Sequence, residues 1–157
     1  MGSIKDAMSC FTTGVTVVTT HFEGQDWGMT CNSFNTVSLE PPMVLWSVNK
    51  KSFSHRAFTE SSGYLVNILR LEQKDLAMRF ATGSQAERFE TDHLVRESSQ
   101  RMRLEQSLAW FDCHLERVID VGDHHVLIGL VERFGHDSGV GLAVAQRQMG
   151  HLSVVGS

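Results

Sequence analysis

The stretch Gly28-Met29-Thr30-Cys31-Asn32-Ser33-Phe34-Asn35-Thr36-Val37-Ser38-Leu39-Glu40-Pro41-Pro42 sets a dense row of small polar residues between apolar segments. Hydroxyls, a carboxamide and closely approachable backbone N–H groups in such a row suit a flat heterocycle rich in acceptors. The same composition also describes a polar loop closed by a Pro-Pro brake, and composition alone does not separate the two. A second candidate is Asn49-Lys50-Lys51-Ser52-Phe53-Ser54-His55, which runs from the end of an apolar segment into helical spacing. Helix N-terminal amides, the Ser52 and Ser54 hydroxyls and two lysines would make a phosphate cradle. The alternative is an exposed basic turn with an ordinary N-cap.

Other chemistries lack their signatures. There is no Gly-rich loop ending in Gly-Lys-Ser/Thr, and the Gly139/Gly141 pair lacks the third small residue of a Rossmann turn. Gly-x-Ser-x-Gly, Cys-x-x-Cys and His-Glu-x-x-His are absent, which removes the best support for hydrolase and zinc readings. His124 and His125, with Cys113 and His114, invite a metal hypothesis. Successive strand residues point to opposite faces, so each pair offers at most one ligand per side, and no metal is expected.

The elements that position these residues belong to a single domain, expected over 1–157. A chain of 157 residues can bury roughly 68–70% of the surface its unfolded form exposes, so it needs neither disulfides nor a structural metal to fold. Fourteen Lys+Arg against eighteen Asp+Glu give a formal charge of −4 with no long block of either sign, so no nucleic-acid footprint is visible. Cys10, Cys31 and Cys113 are odd in number and far apart, which suits a reducing compartment. The apolar runs are too short to span a bilayer and no signal-peptide pattern opens the chain, so a cytoplasmic protein without membrane contact is expected.

Ile4, Ala7, Met8 and Phe11 recur at helical spacing behind Ser3 and Asp6, a near capping box, which predicts a short amphipathic helix closed near Gly14. Val15 to Thr20 is β-branched throughout, and a turn around Glu23-Gly24-Gln25 joins it to a second strand. Further β-rich runs are Val37–Leu39, Met43–Val48, Tyr64–Leu69, Trp110–Ile119, His125–Phe134 and Leu152–Val155, with helices at Ser52–Thr59 and Glu72–Phe80. Seven or so strands in so short a chain predict a mostly β fold with flanking helices, built as a small barrel. Val126–Val131 is apolar on both faces, and a homodimer interface is the economical cover for the outer one.

In order and spacing, the chain resembles the short-chain flavin reductase family, the reductase components of two-component flavin-dependent monooxygenases. The pieces are Thr13–Thr20, Gly28–Phe34 with Val37–Pro42, Val66-Asn67-Ile68-Leu69 with Gln73, Arg79-Phe80-Ala81, Arg88-Phe89 and Gly122-Asp123-His124. The resemblance implies a homodimeric split β-barrel of the FMN-binding type that binds FMN or FAD and oxidises NADH or NADPH. It implies that Met29, Thr30, Cys31, Asn32 and Ser33, with a turn at Val37, Ser38 and Leu39, line the isoalloxazine edge. Asn49, Lys50, Lys51, Ser52 and His55 would serve the phosphate, and Phe80, Arg88 and Phe89 the flavin tail. His124 would position the nicotinamide, with Asp123 fixing its tautomer. The implied partner is a monooxygenase that receives reduced flavin by diffusion.

One piece departs from the pattern. Where many members carry a Tyr-rich run, this chain reads Val144-Ala145-Gln146-Arg147-Gln148-Met149-Gly150, and a thioether pads a nicotinamide without stacking on it. That departure keeps a non-catalytic flavin carrier or sensor in view, and the eight histidines a heme-binding protein of the same fold.

Overall fold

Among residues 2–155, which the computed structural model describes, the first element is α1 (Ile4–Ser9), closed by the expected capping box. Ser3 Oγ accepts from the Asp6 amide at 3.2 Å and the Asp6 carboxylate accepts from the Ser3 amide at 2.8 Å. No residue of α1 is buried, so its apolar stripe of Ile4 and Met8 faces away from the core.

The strands that follow are β1 (Thr13–Gly14), β2 (Thr16–Phe22), β3 (Gln25–Cys31), β4 (Asn35–Leu39) and β5 (Pro42–Asn49). Helix α2 (His55–Glu60) precedes β6 (Gly63–Ile68), and a short 3₁₀ turn leads into α3 (Lys74–Thr82) and α4 (Gln85–Arg88). Then come β7 (Leu94–Arg96), β8 (Met102–Leu104), the long pair β9 (Ala109–Val121) and β10 (His124–His136), and β11 (Ala143–Ala145) with β12 (Gln148–Gly150). The main sheet is antiparallel in the order β3-β2-β6-β9-β10-β5-β4, and smaller sheets join β1-β11-β12 and β7-β8.

Strand β2 explains why its sequence shows no alternation. Val18 points into a core with Trp46, Phe58, Tyr64 and Leu127, while Val17, with Val15 just ahead of the strand, points into a second core with Leu69, Phe80 and Leu104. The strand is therefore the wall between two apolar layers, and both of its faces are buried. Residues from opposite ends of the main sheet, Val18 and Met29 on one side and Val44 and Trp46 on the other, share the first core. The sheet thus curls around a common interior. Within it, Trp46 meets Phe58 edge-on at 4.7 Å, and Tyr64 donates its hydroxyl to the Leu127 carbonyl at 3.0 Å.

Gly28 is where β3 meets the helices. A Cβ at this position would lie 2.8 Å from Phe80 Cε1 and 3.1 Å from Phe89 Cζ. Gly28→Ala is expected to cost about 1–3 kcal/mol through overpacking, read as a lower denaturant midpoint with an unchanged slope.

Two expectations change. Leu152–Val155 is not a strand: Leu152, Val154 and Val155 are exposed and the last strand is Gln148–Gly150. Its hairpin turns on Gln146 and Arg147, both left-handed at φ 49° and 65°, a primed turn without the usual glycine. Arg147 is held by Asp6 at 2.8 Å and the Gln146 amide by the Ser9 carbonyl at 2.7 Å, which ties the hairpin to α1. The helix expected over Ser52–Thr59 begins only at His55, because Ser52 and Ser54 turn their hydroxyls to each other, 3.0 Å apart, before the helix starts.

Candidate functional site

The row of small polar residues is strand rather than loop over much of its length. Met29, Thr30 and Cys31 end β3, and Asn32 and Ser33 form the bend towards β4. Because β3 is the last strand of its sheet, backbone groups along one of its sides have no strand partner. Thr30, Cys31 and Asn32 line a cavity of about 170 Å³ together with Val15, Val144 and Met149. The residue that departs from the family pattern, Met149, therefore faces the segment that carries the resemblance.

Two hydroxyls in the row are spent inside the protein. Thr30 Oγ1 donates to the Ala77 carbonyl at 2.5 Å, pinning β3 to α3. Ser33 Oγ accepts from the Ser47 amide at 3.0 Å and donates to the Ser47 carbonyl at 3.2 Å. They position the bend instead of projecting from it. Burial pushes the Cys31 thiol up, against opposing bonds from Thr16, Ser33 and Phe34. It is a neutral thiol at physiological pH, so the cavity presents no thiolate to an electron-rich ring.

Val37, Ser38 and Leu39 do not line this cavity. They sit in β4 at a register irregularity, with Leu39 paired to Pro42 at the end of the β4–β5 hairpin and 93% exposed. The segment is the strand that its β-rich sequence predicts and not the turn that the resemblance implied, and it is not gathered with Met29–Ser33.

The segment Asn49–His55 is stitched to the β9–β10 turn. Lys50 Nζ donates to Asp120 Oδ1 at 2.6 Å and to the Gly122 carbonyl at 2.7 Å, and the Lys50 amide donates to the Asp123 carbonyl at 2.9 Å. Lys50 is thus already charge-paired, on one side of the segment expected to form a phosphate cradle. Asn49 is also occupied, its carboxamide accepting from the Lys51 amide at 2.8 Å. With α2 only six residues long, the helix-terminus part of that expectation falls away, leaving Lys51 and Ser52 as its exposed or half-exposed members. Ser54, fully buried, donates to Met29 Sδ at 3.7 Å, which brings this segment against β3.

His55 is engaged elsewhere: its Nε2 lies 2.8 Å from His125 Nδ1. Burial, then the neighbouring His125 and Lys50, hold its imidazole below the usual histidine range. A histidine depressed in the folded state stabilises above its ordinary value, and that stability is lost as pH falls through the folded value. Melting temperature is therefore expected to drop as pH falls below about 6.5, the ordinary histidine value, with a flatter profile for His55→Gln; parallel profiles would remove His55 as a cause.

Of the residues expected at the flavin tail, Phe80 and Arg88 are held inside the fold. Phe80 is fully buried and meets Phe89 edge-on at 5.3 Å, so its ring belongs to the core. Arg88 is buried, donating to the Gly28 carbonyl at 2.7 Å and the Gly83 carbonyl at 2.8 Å, with Phe53 against its guanidinium. Sequence reading missed this role because its acceptors are backbone atoms. A capping box of Ser84 and Glu87 places Arg88 at the end of α4; that signal was present in the sequence.

His124 opens β10 opposite Asn49. Its Nδ1 lies 2.7 Å from Asp123 Oδ1, and this bond, foremost, holds the Asp123 carboxyl below its usual range. An ionised carboxylate only accepts, so Nδ1 carries the proton of a neutral ring and Nε2 is left as an acceptor. The structure thus brings together Asp123, His124, Asn49, Lys50, Ser52, Ser54 and Met29 through contiguous contacts. Among the described residues no group of three or more His, Cys, Asp or Glu is placed to hold a metal, and no helix is long and apolar enough to cross a membrane.

The family described as a flavin reductase like domain matches residues 8–153. The reductase component of a flavin-dependent trigonelline monooxygenase from Acinetobacter baylyi is 42% identical over 132 residues, 83% of this chain and 42% of that protein. The FMN reductase (NADH) SmoA of Agrobacterium fabrum is 37% identical over 152 residues, 96% of this chain and 86% of that protein. Among solved structures, the NADH:FAD oxidoreductase SgcE6 of Streptomyces globisporus, in complex with NAD and FAD fragments, superposes with a TM-score of 0.91. It is 29% identical, and the match covers 98% of this chain and 93% of that one. The chain spans less than half the length of the first of these relatives.

Proposed function

The chain belongs to the flavin reductase like family, and from that premise we propose that it is an NAD(P)H:flavin oxidoreductase. It reduces FMN or FAD and supplies the reduced flavin to a partner monooxygenase by diffusion. The observation that carries the reading is the cavity in which Thr30, Cys31 and Asn32 meet Met149. The residues present fit a flavin edge: an apolar floor, a carboxamide and strand-edge backbone groups at the rim, and no carboxylate among the lining residues.

When bound, the flavin accepts a hydride from the nicotinamide and so supplies the redox chemistry. The chain supplies orientation. Asn32 and the backbone around Met29–Ser33 offer donors at the ring's edge, where pre-placed donors favour the electron-rich state over the neutral one. Lys51 and Ser52 remain to serve the phosphate. His124, its tautomer fixed by Asp123, positions the nicotinamide carboxamide through Nε2; no proton needs to move there. Met149 packs against the nicotinamide where relatives of this pattern place an aromatic ring.

The fold in this reading is the homodimeric split barrel of the FMN-binding type, one domain over 1–157. Partial exposure of Val126, Ile128 and Leu130 on β10, together with exposed Val121 on the same face of the β9–β10 pair, supplies an apolar face for the second copy. Exposed Val37 and Leu39 are available to the flavin across such an interface. Met149→Tyr is expected to lower the KM for NAD(P)H severalfold if ring stacking replaces thioether padding, since stacked aromatic pairs contribute about 0.5–1.5 kcal/mol beyond burial. An unchanged KM would remove Met149 from the nicotinamide site.

A further inference from the structure

A second cavity, of about 370 Å³, lies between the β2–β3 hairpin and α2, walled by Phe22, Trp27 and Phe53 with Gln25, Arg56 and the Arg56-paired carboxylate of Glu23 at its sides. Trp27 and Phe53 stand with centroids 6.3 Å apart at a tilt of 48°, an open corner and not a closed stack. Phe53 is 57% exposed, yet it is not a loose surface ring. The Arg88 guanidinium lies 4.7 Å from its centroid and is itself fixed by the Gly28 and Gly83 carbonyls. Arg56 is likewise held flat against Phe22, 5.2 Å from that centroid, by Glu23 and Glu60. The buried indole N–H of Trp27 has no acceptor among the described residues.

Fixed aromatic faces, a planar guanidinium and a carboxamide form a set that suits a purine base. Bases stack on aromatic and guanidinium planes, and a glutamine amide matches the N6/N7 edge of adenine. The cavity is linked to the site described above through the chain: Phe53 sits between Ser52 and Ser54, and Ser54 donates to Met29 Sδ on β3. We infer that this cavity takes the adenine of FAD, so that the protein binds FAD in preference to FMN. The inference rests on the flavin reading and names the flavin for which the site is built. Arg88 then acts as a positioning residue, bracing the Phe53 platform from behind.

The adenine of a nicotinamide dinucleotide has the same chemistry, and the test separates the two sources. Dissociation constants for FAD and FMN are measured by flavin fluorescence on the wild type, Phe53→Ala and Phe53→Trp, with the KM for NADH measured on each using FMN as acceptor. The expected result is FAD bound about tenfold more tightly than FMN by the wild type, the scale of one base stacked on an aromatic ring. Phe53→Ala should remove that preference with FMN affinity unchanged, and Phe53→Trp should restore it. Equal affinities in the wild type, or equal weakening of both flavins in Phe53→Ala, overturns the inference. So does a raised KM for NADH with FAD affinity unmoved, which assigns the cavity to the dinucleotide. If the wild type binds neither flavin, the flavin reading itself falls and this inference with it; if it binds both equally, only the inference falls.

Discussion

Asp112→Ala is expected to destabilise the protein by about 3–5 kcal/mol, the cost of leaving a buried charge without its partner. Asp112 Oδ1 accepts from Arg101 Nη1 at 2.7 Å, and the two residues are only 3% and 6% exposed. Arg101 also donates to Ser62 Oγ at 3.0 Å, so its guanidinium is held where β6 and β9 meet, almost wholly out of solvent. The backbone there is equally close-packed: a Cβ on Gly63 would lie 2.0 Å from the Cys113 carbonyl and 2.5 Å from Arg101 Nη2. Urea denaturation reads the loss directly. Removing both partners in Asp112→Ala/Arg101→Met should recover part of it, because an apolar replacement of a buried pair leaves no stranded charge. A loss below about 1 kcal/mol, the scale of an exposed ion pair, would mean that Arg101 reaches solvent.

His124→Ala is the functional counterpart. On the proposed mechanism it should lower kcat/KM for NAD(P)H about tenfold, the effect of one lost positioning hydrogen bond of roughly 1.4 kcal/mol. The loss should fall mainly on KM, because a group that orients the dinucleotide acts in the ground state as much as in the transition state. Flavin affinity should stay within about twofold by the same reasoning. Asp123→Asn separates orientation from mere presence: the amide no longer enforces one tautomer, so activity should fall while the ring remains. The His124 side chain is partly exposed and bonded to an exposed carboxylate, so neither change should move stability much. Unchanged NADH kinetics in both variants would return the pair to the surface.

Much of the strand framework was legible because it depends on local chemistry. The β-branched run Thr16–Thr20 and the Glu23–Gly24 turn give the β2–β3 hairpin, with both turn residues left-handed at φ 50° and 76°. Ser3 and Asp6 announce α1 through a bond that spans three residues. What stayed hidden depends on distant partners. Lys50 reads as a free cation until Asp120 and Gly122 come beside it across the β5–β10 pairing. Thr30 reads as a ligand hydroxyl until the Ala77 carbonyl, 47 residues away in sequence, accepts its hydrogen bond. The β11–β12 hairpin was missed because Gln146 and Arg147 occupy a turn that glycine or asparagine usually fills. Its consequence is functional, since that hairpin carries Met149 to the cavity lined by Thr30–Asn32.

The second cavity shows the same division. Phe22, Trp27, Phe53 and Arg56 are unremarkable as a sequence pattern and become one site only when α2 packs against β2 and the β2–β3 hairpin. No periodicity encodes that meeting. The contact that fixes Phe53, from Arg88 on α4, joins segments 35 residues apart. Arg88 was legible as a residue to watch but not as a brace.

Whether the protein is a reductase is read from the oxidation of NADH and of NADPH by the purified protein, followed by absorbance with FMN and with FAD in turn. Flavin-dependent turnover is expected with at least one nicotinamide–flavin pair, absent when flavin is omitted and weakened in His124→Ala. Tight retention of flavin with no turnover in any of the four pairings would contradict it, and would leave a flavin carrier or sensor in place of a reductase.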